Sequence, residues 1–211
     1  MITSWREMPI SVFQKIWDIQ SLHITEDEKI MKITALLAGI PEEEFLAMPL
    51  IDAREYIAQT HFMYTEPHTH RPNKVYNIGH HRYRLMRSVE GMTTAQYINY
   101  QAIVGRPVNE IIADLMAIVL VPDGKTYGDY STEEVVEELR ENLNIEDALS
   151  IANFFIHSFE KSMRRMLRFS DGMMMAAKIM AKKEEREMME ALQLEMKLVT
   201  DALRSEFGFR W

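Results

Sequence analysis

The chain has 211 residues, of which 47% are hydrophobic and 27% are charged, so it has enough apolar material for a core and is not generally disordered. The absence of cysteine excludes disulfides, thiolate zinc sites, iron–sulfur clusters and cysteine nucleophiles. The net charge of -8 argues against a protein that simply coats nucleic acid, and the apolar runs are too short to cross a bilayer. The first ten residues lack the apolar segment of a signal peptide, so we expect none.

Two helices are predicted near the start of the chain. Pro9 suits the first turn of a helix, and apolar residues follow it at helical spacing as far as Ile19. Thr25 and Glu28 have the spacing of a capping box, which predicts the start of a second helix. Gly39 is typical of a helix end, so we expect the second helix to stop there.

The following segment is predicted to complete a helical unit that spans the first 62 residues. Residues 42–48 indicate a short helical turn, and residues 50–62 indicate a third amphipathic helix. The predicted apolar face of this third helix consists of Ile51, Tyr56, Ile57 and Phe62.

A small β-hairpin is predicted in the centre of the chain. Residues 65–73 contain two prolines and no apolar period, which indicates a loop. Apolar and polar side chains then alternate near residues 75–88, with Gly79 at the turn, which predicts two antiparallel strands. Thr93 and Gln96 form another capping-box pattern, so a helix should follow. Its predicted apolar face consists of Tyr97, Ile98, Gln101 and Val104.

Three further helices are predicted before residue 170. Residues 111–121 are almost purely apolar, which indicates a helix that is buried on most sides. After a turn-rich loop at residues 122–130, Ser131 is expected to cap an acidic helix, and Asn144 to open another that continues to about residue 169. The predicted fold class is therefore mainly α, a multi-helix domain with one small antiparallel β-hairpin and a long C-terminal helix.

The C-terminal part is predicted to differ from the rest, with a helical domain over residues 1–170 and a long amphipathic helix with an aromatic tail over residues 171–211. It contains many of the seventeen methionines, which suit both loosely packed cores and surfaces that repack against partners. Its apolar residues keep a spacing of three and four for only two heptads, too few to indicate a coiled coil. Aromatic residues and arginine are enriched at interface hot spots, so we predict contact with another subunit, with packing on the protein's own core as the alternative. The predicted partner-binding residues are Met189, Leu192, Met196, Val199, Leu203, Phe207, Phe209 and Trp211.

Five of the seven histidines lie between residues 61 and 81. Two of them on the loop and two at the hairpin turn could offer imidazoles to zinc, copper or nickel. No acidic residue between Pro67 and Ser88 completes such a ligand set, and exposed loop histidines account for the pattern equally well. We therefore predict no metal and no other cofactor. The candidate ligands, if a site exists, are His68, His70, His80 and His81.

The same region is locally basic, and its cations alternate with Tyr76 and Tyr83, a mixture that can hold phosphates and stack bases. In a strand, however, Arg82 and Arg84 share one face and Tyr83 lies on the other, which is the ordinary pattern of one solvated and one buried face. The possible nucleic-acid contacts are Arg71, Lys74, Arg82, Arg84 and Arg87.

A second group of cations lies three and four residues apart in the last predicted helix before residue 170. Cations near a helix C-terminus are stabilised by the helix dipole, so they need no ligand. They could also contact the acidic helix over residues 133–141, in the same chain or in a neighbour. These residues are Lys161, Arg164, Arg165 and Arg168.

The sequence contains no catalytic motif. It lacks a G-x-S-x-G elbow, a P-loop and a dinucleotide-binding glycine pattern, and its histidines lack the helical spacing of H-E-x-x-H. We therefore predict that the protein is not an enzyme.

One family resemblance follows from the order of segments rather than from any motif. The segments SWREMPISVFQKIWDI, KITALLAGIPEEEFLAMPL, KVYNIGHHRYRL, MTTAQYINYQAI and SIANFFIHSF together resemble small structural or tail-assembly proteins of tailed bacteriophages, with the crAss-like phages as the most similar group. The resemblance covers about residues 5–159 and excludes the methionine-rich C-terminal part. It implies a location in the host cytoplasm during assembly and then in the virion, with no enzymatic activity.

The predicted function is that of a bacteriophage virion or tail component that acts through protein–protein contacts. Other phage virion or tail proteins are the expected partners, in a homo- or hetero-oligomer with no membrane contact. The alternatives are a tail-assembly chaperone that leaves the particle, a histidine-based metalloprotein, and a virion protein that contacts nucleic acid.

Overall fold

The computed structural model describes residues 1–169, except for the side chains of residues 160 and 163–169. The predicted C-terminal helix and aromatic tail over residues 171–211, with all eight predicted partner-binding residues, lie outside this range. The described part contains eight α-helices: α1 (Ile10–Gln20), α2 (Glu26–Ala38), α3 (Glu42–Ala47), α4 (Leu50–Gln59), α5 (Thr94–Ile103), α6 (Val108–Val119), α7 (Thr132–Asn142) and α8 (Ile145–Phe169). It also contains three strands, β1 (Val75–Ile78), β2 (His81–Leu85) and β3 (Leu120–Pro122), and 3-10 turns at Trp5–Glu7, Thr60–Tyr64 and Val89–Gly91. The predicted mainly α fold class is confirmed.

Local capping signals placed several helix ends correctly. Thr25 and Glu28 form a reciprocal capping box at α2, and Gly39 ends this helix with φ of 70°. Thr93 and Gln96 form a second capping box at α5. Each pair satisfies backbone N–H groups that a helix terminus leaves without partners, so the sequence determines these ends locally.

The predicted hairpin is confirmed and forms part of a larger sheet. Strands β1 and β2 are antiparallel, with Tyr76 opposite Tyr83, and Gly79 has a φ of 55° in the two-residue turn. Strand β3 pairs antiparallel with β2 and gives a three-stranded sheet in the order β1-β2-β3. The prediction of one helix over residues 111–121 was wrong at its end, because the chain leaves α6 at Val119 and enters β3 at once. A continuous apolar run has no period that separates a buried helix from a buried strand.

Helix α6 lies at the centre of the main hydrophobic core. Ten of its twelve residues are buried, and the helix contacts α1, α5, α7 and α8. On α8, Phe155 and Phe159 pack against Tyr100 of α5, with ring centroids 5.6 and 4.9 Å apart respectively. A separate small cluster of Ala35, Phe45 and Ala53 holds α3 and α4 against α2. Within residues 1–169, none of the helices has the length and apolar content to cross a lipid bilayer.

One predicted apolar face was wrong, and another was wrong at one residue. On α5 the buried residues are Gln96, Tyr100 and Ile103, whereas Ile98 is 60% exposed, so this helix packs through a face about one residue away from the predicted one. On α4 the predicted Tyr56 and Ile57 pack against the small cluster, but Ile51 is 70% exposed. The predicted helix over residues 50–62 also ends earlier, at Gln59, and continues as the 3-10 turn.

Candidate functional site

The carboxylate of Glu138, on α7, binds the hairpin turn to this helix. It accepts a hydrogen bond from the Tyr83 hydroxyl and one of 3.2 Å from the His80 backbone N–H, and its Oε2 lies 2.7 Å from His81 Nδ1. An α-helix places Glu138 one turn after Glu134, on the side of α7 that meets β1. We call Glu138, His80, His81 and Tyr83 the Glu138 cluster.

The surroundings of the Glu138 cluster determine its protonation. Burial raises the pKa of Glu138, but the hydrogen bonds from Tyr83, His81 and the His80 N–H together lower it by more, so this pKa lies below its ordinary value. Burial and the neighbouring Glu138 carboxylate raise the pKa of Tyr83. At neutral pH the cluster therefore combines a neutral tyrosine with an ionised carboxylate. That arrangement holds the hairpin in place.

An open cleft of about 260 Å³ lies beside this cluster. The side chains that line it include Tyr83, Glu138, Asp123, Lys125 and Tyr130. Arg82 at its edge forms an ion pair with Asp123, with Nε and Oδ2 3.3 Å apart. The cleft therefore mixes cations and carboxylates.

His70 links the loop before the hairpin to α8. Its Nε2 lies 3.0 Å from Oδ1 of Asp147, and its Nδ1 lies 3.2 Å from Oγ of Ser150. These contacts have the residue types of a serine-hydrolase triad, but Ser150 is only 2% exposed and its Oγ accepts the His70 backbone N–H at 3.1 Å. A catalytic serine needs access to substrate and an oxyanion hole, so this geometry suits attachment of the loop rather than attack on a substrate.

The structure separates the histidines proposed as metal ligands. His81 contacts Glu138 on α7 and His70 contacts Asp147 on α8, while His68 and His80 are exposed. Across residues 1–169, no group of three or more histidine, aspartate or glutamate side chains is placed to hold a metal ion. The acids that orient these two imidazole rings, Glu138 and Asp147, lie on helices that are distant in the sequence. Because neither acid lies between Pro67 and Ser88, the local sequence does not reveal them.

The five cations near the hairpin have different environments. Arg71 and Lys74 are exposed, and Arg82 is paired with Asp123. Arg84 lies with Lys125 along a separate cleft of about 200 Å³. The Arg87 guanidinium lies 5.9 Å from the ring centroid of Phe154, in the range of a cation–π contact. The predicted alternation of β2 is confirmed, because Arg82 and Arg84 are exposed and Tyr83 is buried.

The second predicted basic group is only partly within the described residues. Lys161 is exposed, and Arg164, Arg165 and Arg168 belong to α8 by their backbone, with side chains outside the described range.

The corner between α3 and α4 exposes an apolar surface that sequence reasoning missed. Leu46, Leu50 and Ile51 are 60%, 59% and 70% exposed and lie within six consecutive residues. The two helices bury Phe45 and Ala53 and partly bury Tyr56 and Ile57, whereas these three side chains remain exposed. We call Leu46, Leu50 and Ile51 the apolar corner. Its only sequence signal was the excess of apolar residues over what one helix face can bury.

Comparison with known proteins gives no significant match: no family model fits the chain, and no curated protein or solved structure is similar to it.

Proposed function

We propose that this protein is a non-catalytic component of a bacteriophage virion or tail, and that it acts by contact with other protein subunits. The observation that carries the proposal is the apolar corner. Single exposed apolar residues are common, but three large ones within six residues are unusual, and exposed apolar clusters of this kind mark interaction sites. The phage assignment itself rests on the resemblance of the sequence segments.

The energetics favour a covered corner. Full burial of a leucine or isoleucine side chain is worth about 1.5–3 kcal/mol, so a partner that covers all three gains a substantial part of an interface core. The surrounding residues are charged, and an apolar centre with a polar rim is the usual anatomy of a protein interface.

Mass spectrometry of purified phage particles tests the proposal. We expect the protein in the particles, and we expect a Leu50→Glu, Ile51→Glu variant to fold but to be lost from them. Ile98→Glu is the matched control, since Ile98 is 60% exposed on α5 and lies outside the corner. If the unaltered protein is absent from mature particles, the virion role is wrong and the assembly-chaperone role takes its place.

Contact with nucleic acid is a second candidate that one observation favours. Arg84 and Lys125 line the same cleft beside Tyr127, and two cations next to an aromatic ring suit a phosphate and a stacked base. An Arg84→Ala, Lys125→Ala variant should lose affinity for single-stranded DNA at low salt. Unchanged electrophoretic mobility of DNA with the unaltered protein would remove this candidate.

A further inference from the structure

Charge is distributed very unevenly along the chain. Residues 1–160 contain 13 Lys or Arg and 24 Asp or Glu, a net charge of -11. Residues 161–183 contain seven Lys or Arg and one Asp, a net charge of +6, together with six of the seventeen methionines. Residues 184–211 contain four Lys or Arg and seven Asp or Glu, a net charge of -3. We call residues 161–183 the basic segment.

The apolar corner has an acidic border. Five carboxylates and one arginine lie between residues 42 and 55. Glu43 precedes Leu46 by three residues on α3, and Glu55 follows Ile51 by four on α4, so each lies beside an exposed apolar side chain. Arg54 is the one cation between residues 42 and 55 of the sequence, and Lys32 of α2 pairs with Glu42. The corner therefore suits a partner that is both apolar and basic.

A second acidic surface, on α7, lacks the apolar part. Glu133, Glu134, Glu137 and Glu141 are exposed there, but Val135 and Leu139 are buried. Glu137 forms an ion pair with Arg140, at 2.8 Å from Oε2 to Nη1. A methionine-rich basic segment would gain charge contacts on α7 and little burial, whereas the apolar corner offers both.

We propose that the basic segment of one copy of the protein docks on the apolar corner of a second copy. The inference rests on the proposed function, contact between protein subunits through the corner, and adds the identity of the occupant. The methionine side chains supply flexible apolar surface for Leu46, Leu50 and Ile51, and the cations face the acidic border.

The course of α8 favours a second copy over the same chain. Near the end of α8, Phe159 packs against Tyr100 of α5 with ring centroids 4.9 Å apart, and the Ser158 hydroxyl donates to the Arg87 carbonyl at 3.1 Å. The corner instead belongs to α3 and α4, which a separate hydrophobic cluster holds against α2. Lys161 follows Phe159 by two residues, so the basic segment begins beside α5, on elements other than those that carry the corner.

Such a contact joins two different surfaces of identical chains. A head-to-tail contact of this kind closes into a ring if the rotation between copies permits, and otherwise extends as an open chain.

Sedimentation equilibrium of the full-length protein over a range of concentrations tests the proposal. We expect reversible self-association that weakens when the salt concentration rises from about 0.1 M to about 1 M, because the Debye length falls from about 10 to about 3 Å. A Leu50→Glu, Ile51→Glu variant should raise the dissociation constant by at least about tenfold. Ile98→Glu should leave it unchanged, and circular dichroism should show that all three proteins have the same helix content.

Charge reversal provides the sharper test. A Glu43→Lys, Glu44→Lys, Glu55→Lys variant changes the net charge of residues 42–55 from -4 to +2, so both its corner and its segment are basic. A Lys161→Glu, Arg164→Glu, Arg165→Glu, Arg168→Glu variant changes the net charge of the basic segment from +6 to -2, so both its corner and its segment are acidic. Neither should self-associate, but an equimolar mixture should, because each corner then meets a segment of opposite charge.

The outcomes separate this inference from the proposed function. Three results would each overturn the docking of a second copy. The protein could remain a monomer at every concentration, its self-association could be unchanged in the corner variants, or the mixture of charge-reversal variants could fail to associate. If the corner variant is nevertheless lost from phage particles, the corner binds a different subunit and the proposed function stands. Absence of the unaltered protein from the particles instead refutes the virion role, whatever the sedimentation result.

Discussion

The Oε2 atom of Glu138 lies 2.7 Å from the Nδ1 atom of His81, although 57 residues separate the two in the chain. This contact, with the Tyr83 hydroxyl and the His80 N–H, fixes the hairpin turn against α7. The side chain of Glu138 is only 18% exposed. If this side chain were removed, water could only poorly replace the hydrogen bonds that its partners make to it.

We therefore expect Glu138→Ala to lower the free energy of unfolding by about 1–3 kcal/mol, since it leaves the buried Tyr83 hydroxyl without its acceptor. Urea denaturation monitored by circular dichroism measures the change. Glu134→Ala is the control one helical turn earlier, where the side chain is exposed and the expected change is within about 0.5 kcal/mol. Equal effects of the two substitutions would contradict the role of the cluster.

The same carboxylate should make stability depend on pH. Because the pKa of Glu138 in the folded protein lies below its ordinary value of 4.5, the unfolded chain takes up the proton first as the pH falls. The contribution of Glu138 is thus fully present above pH 4.5 and is lost as the pH falls through the lowered folded value. The difference in unfolding free energy between the unaltered protein and Glu138→Gln should shrink across that range. A difference that grows with acidity would be the opposite of this expectation.

Gly79 should be harder to replace than other glycines with positive φ. The Cβ of an alanine at this position would lie 2.5 Å from Oε1 of Glu138. The alanine would also have to adopt a φ of 55°, which is unfavourable for any residue with a Cβ. Gly124 has a φ of 78° and no atom within 4 Å of an added Cβ, so Gly124→Ala measures the backbone strain alone. We expect Gly79→Ala to destabilise the protein by about 1 kcal/mol more than Gly124→Ala does. This excess should disappear in a Glu138→Ala background, as a double-mutant cycle in urea would detect.

Two buried tyrosines should respond differently to loss of the hydroxyl. Tyr83 donates to Glu138, so Tyr83→Phe should cost about 1–2 kcal/mol. The Tyr100 hydroxyl has no hydrogen-bond partner among residues 1–169, so Tyr100→Phe should be neutral or slightly stabilising. Thermal unfolding of the two variants beside the unaltered protein makes the comparison. A loss for Tyr100→Phe as large as that for Tyr83→Phe would show that this hydroxyl is satisfied elsewhere.

His70 should control the opening of the loop over residues 65–73. The side chain contacts Asp147 and Ser150 but is partly exposed, so its removal should cost no more than about 0.5–1 kcal/mol. That corresponds to a two- to fivefold rise in the open population, and amide hydrogen exchange in residues 65–73 should accelerate by about this factor. His68→Ala is the control, because His68 is exposed on the same loop. Equal exchange rates for the two variants would remove the proposed attachment.

Local signals accounted for much of the fold. The side chains of Thr25 and Thr93 cap their helices within three residues, and the glycine turn and alternation of β1 and β2 need only neighbouring residues. On α8 the buried residues Ile145, Phe155 and Phe159 are likewise apolar and lie at helical spacing. In each case the interacting groups are close in sequence, so the pattern is visible without the fold.

The candidate sites were harder to predict. Cations near the hairpin were adjacent in sequence, but Arg82 and Arg87 have different partners in the structure. Ile51 fitted a helical apolar pattern, yet α4 docks through Ala53 and leaves it exposed. Which face of a short helix is buried depends on the shape of its neighbour as well as on its own hydrophobicity.

The sequence by itself determined the helical class, the hairpin, the capped helix ends at Thr25, Gly39 and Thr93, and the opposition between an acidic body and a basic segment. Only the tertiary structure decided that β3 joins the sheet and that Glu138 and Asp147 contact His81 and His70. It also decided that the apolar corner between α3 and α4 is exposed. The physical reason is range: caps, turns and charge counts depend on residues a few positions apart. Strand pairing and burial depend on surfaces that come together only when the whole chain packs.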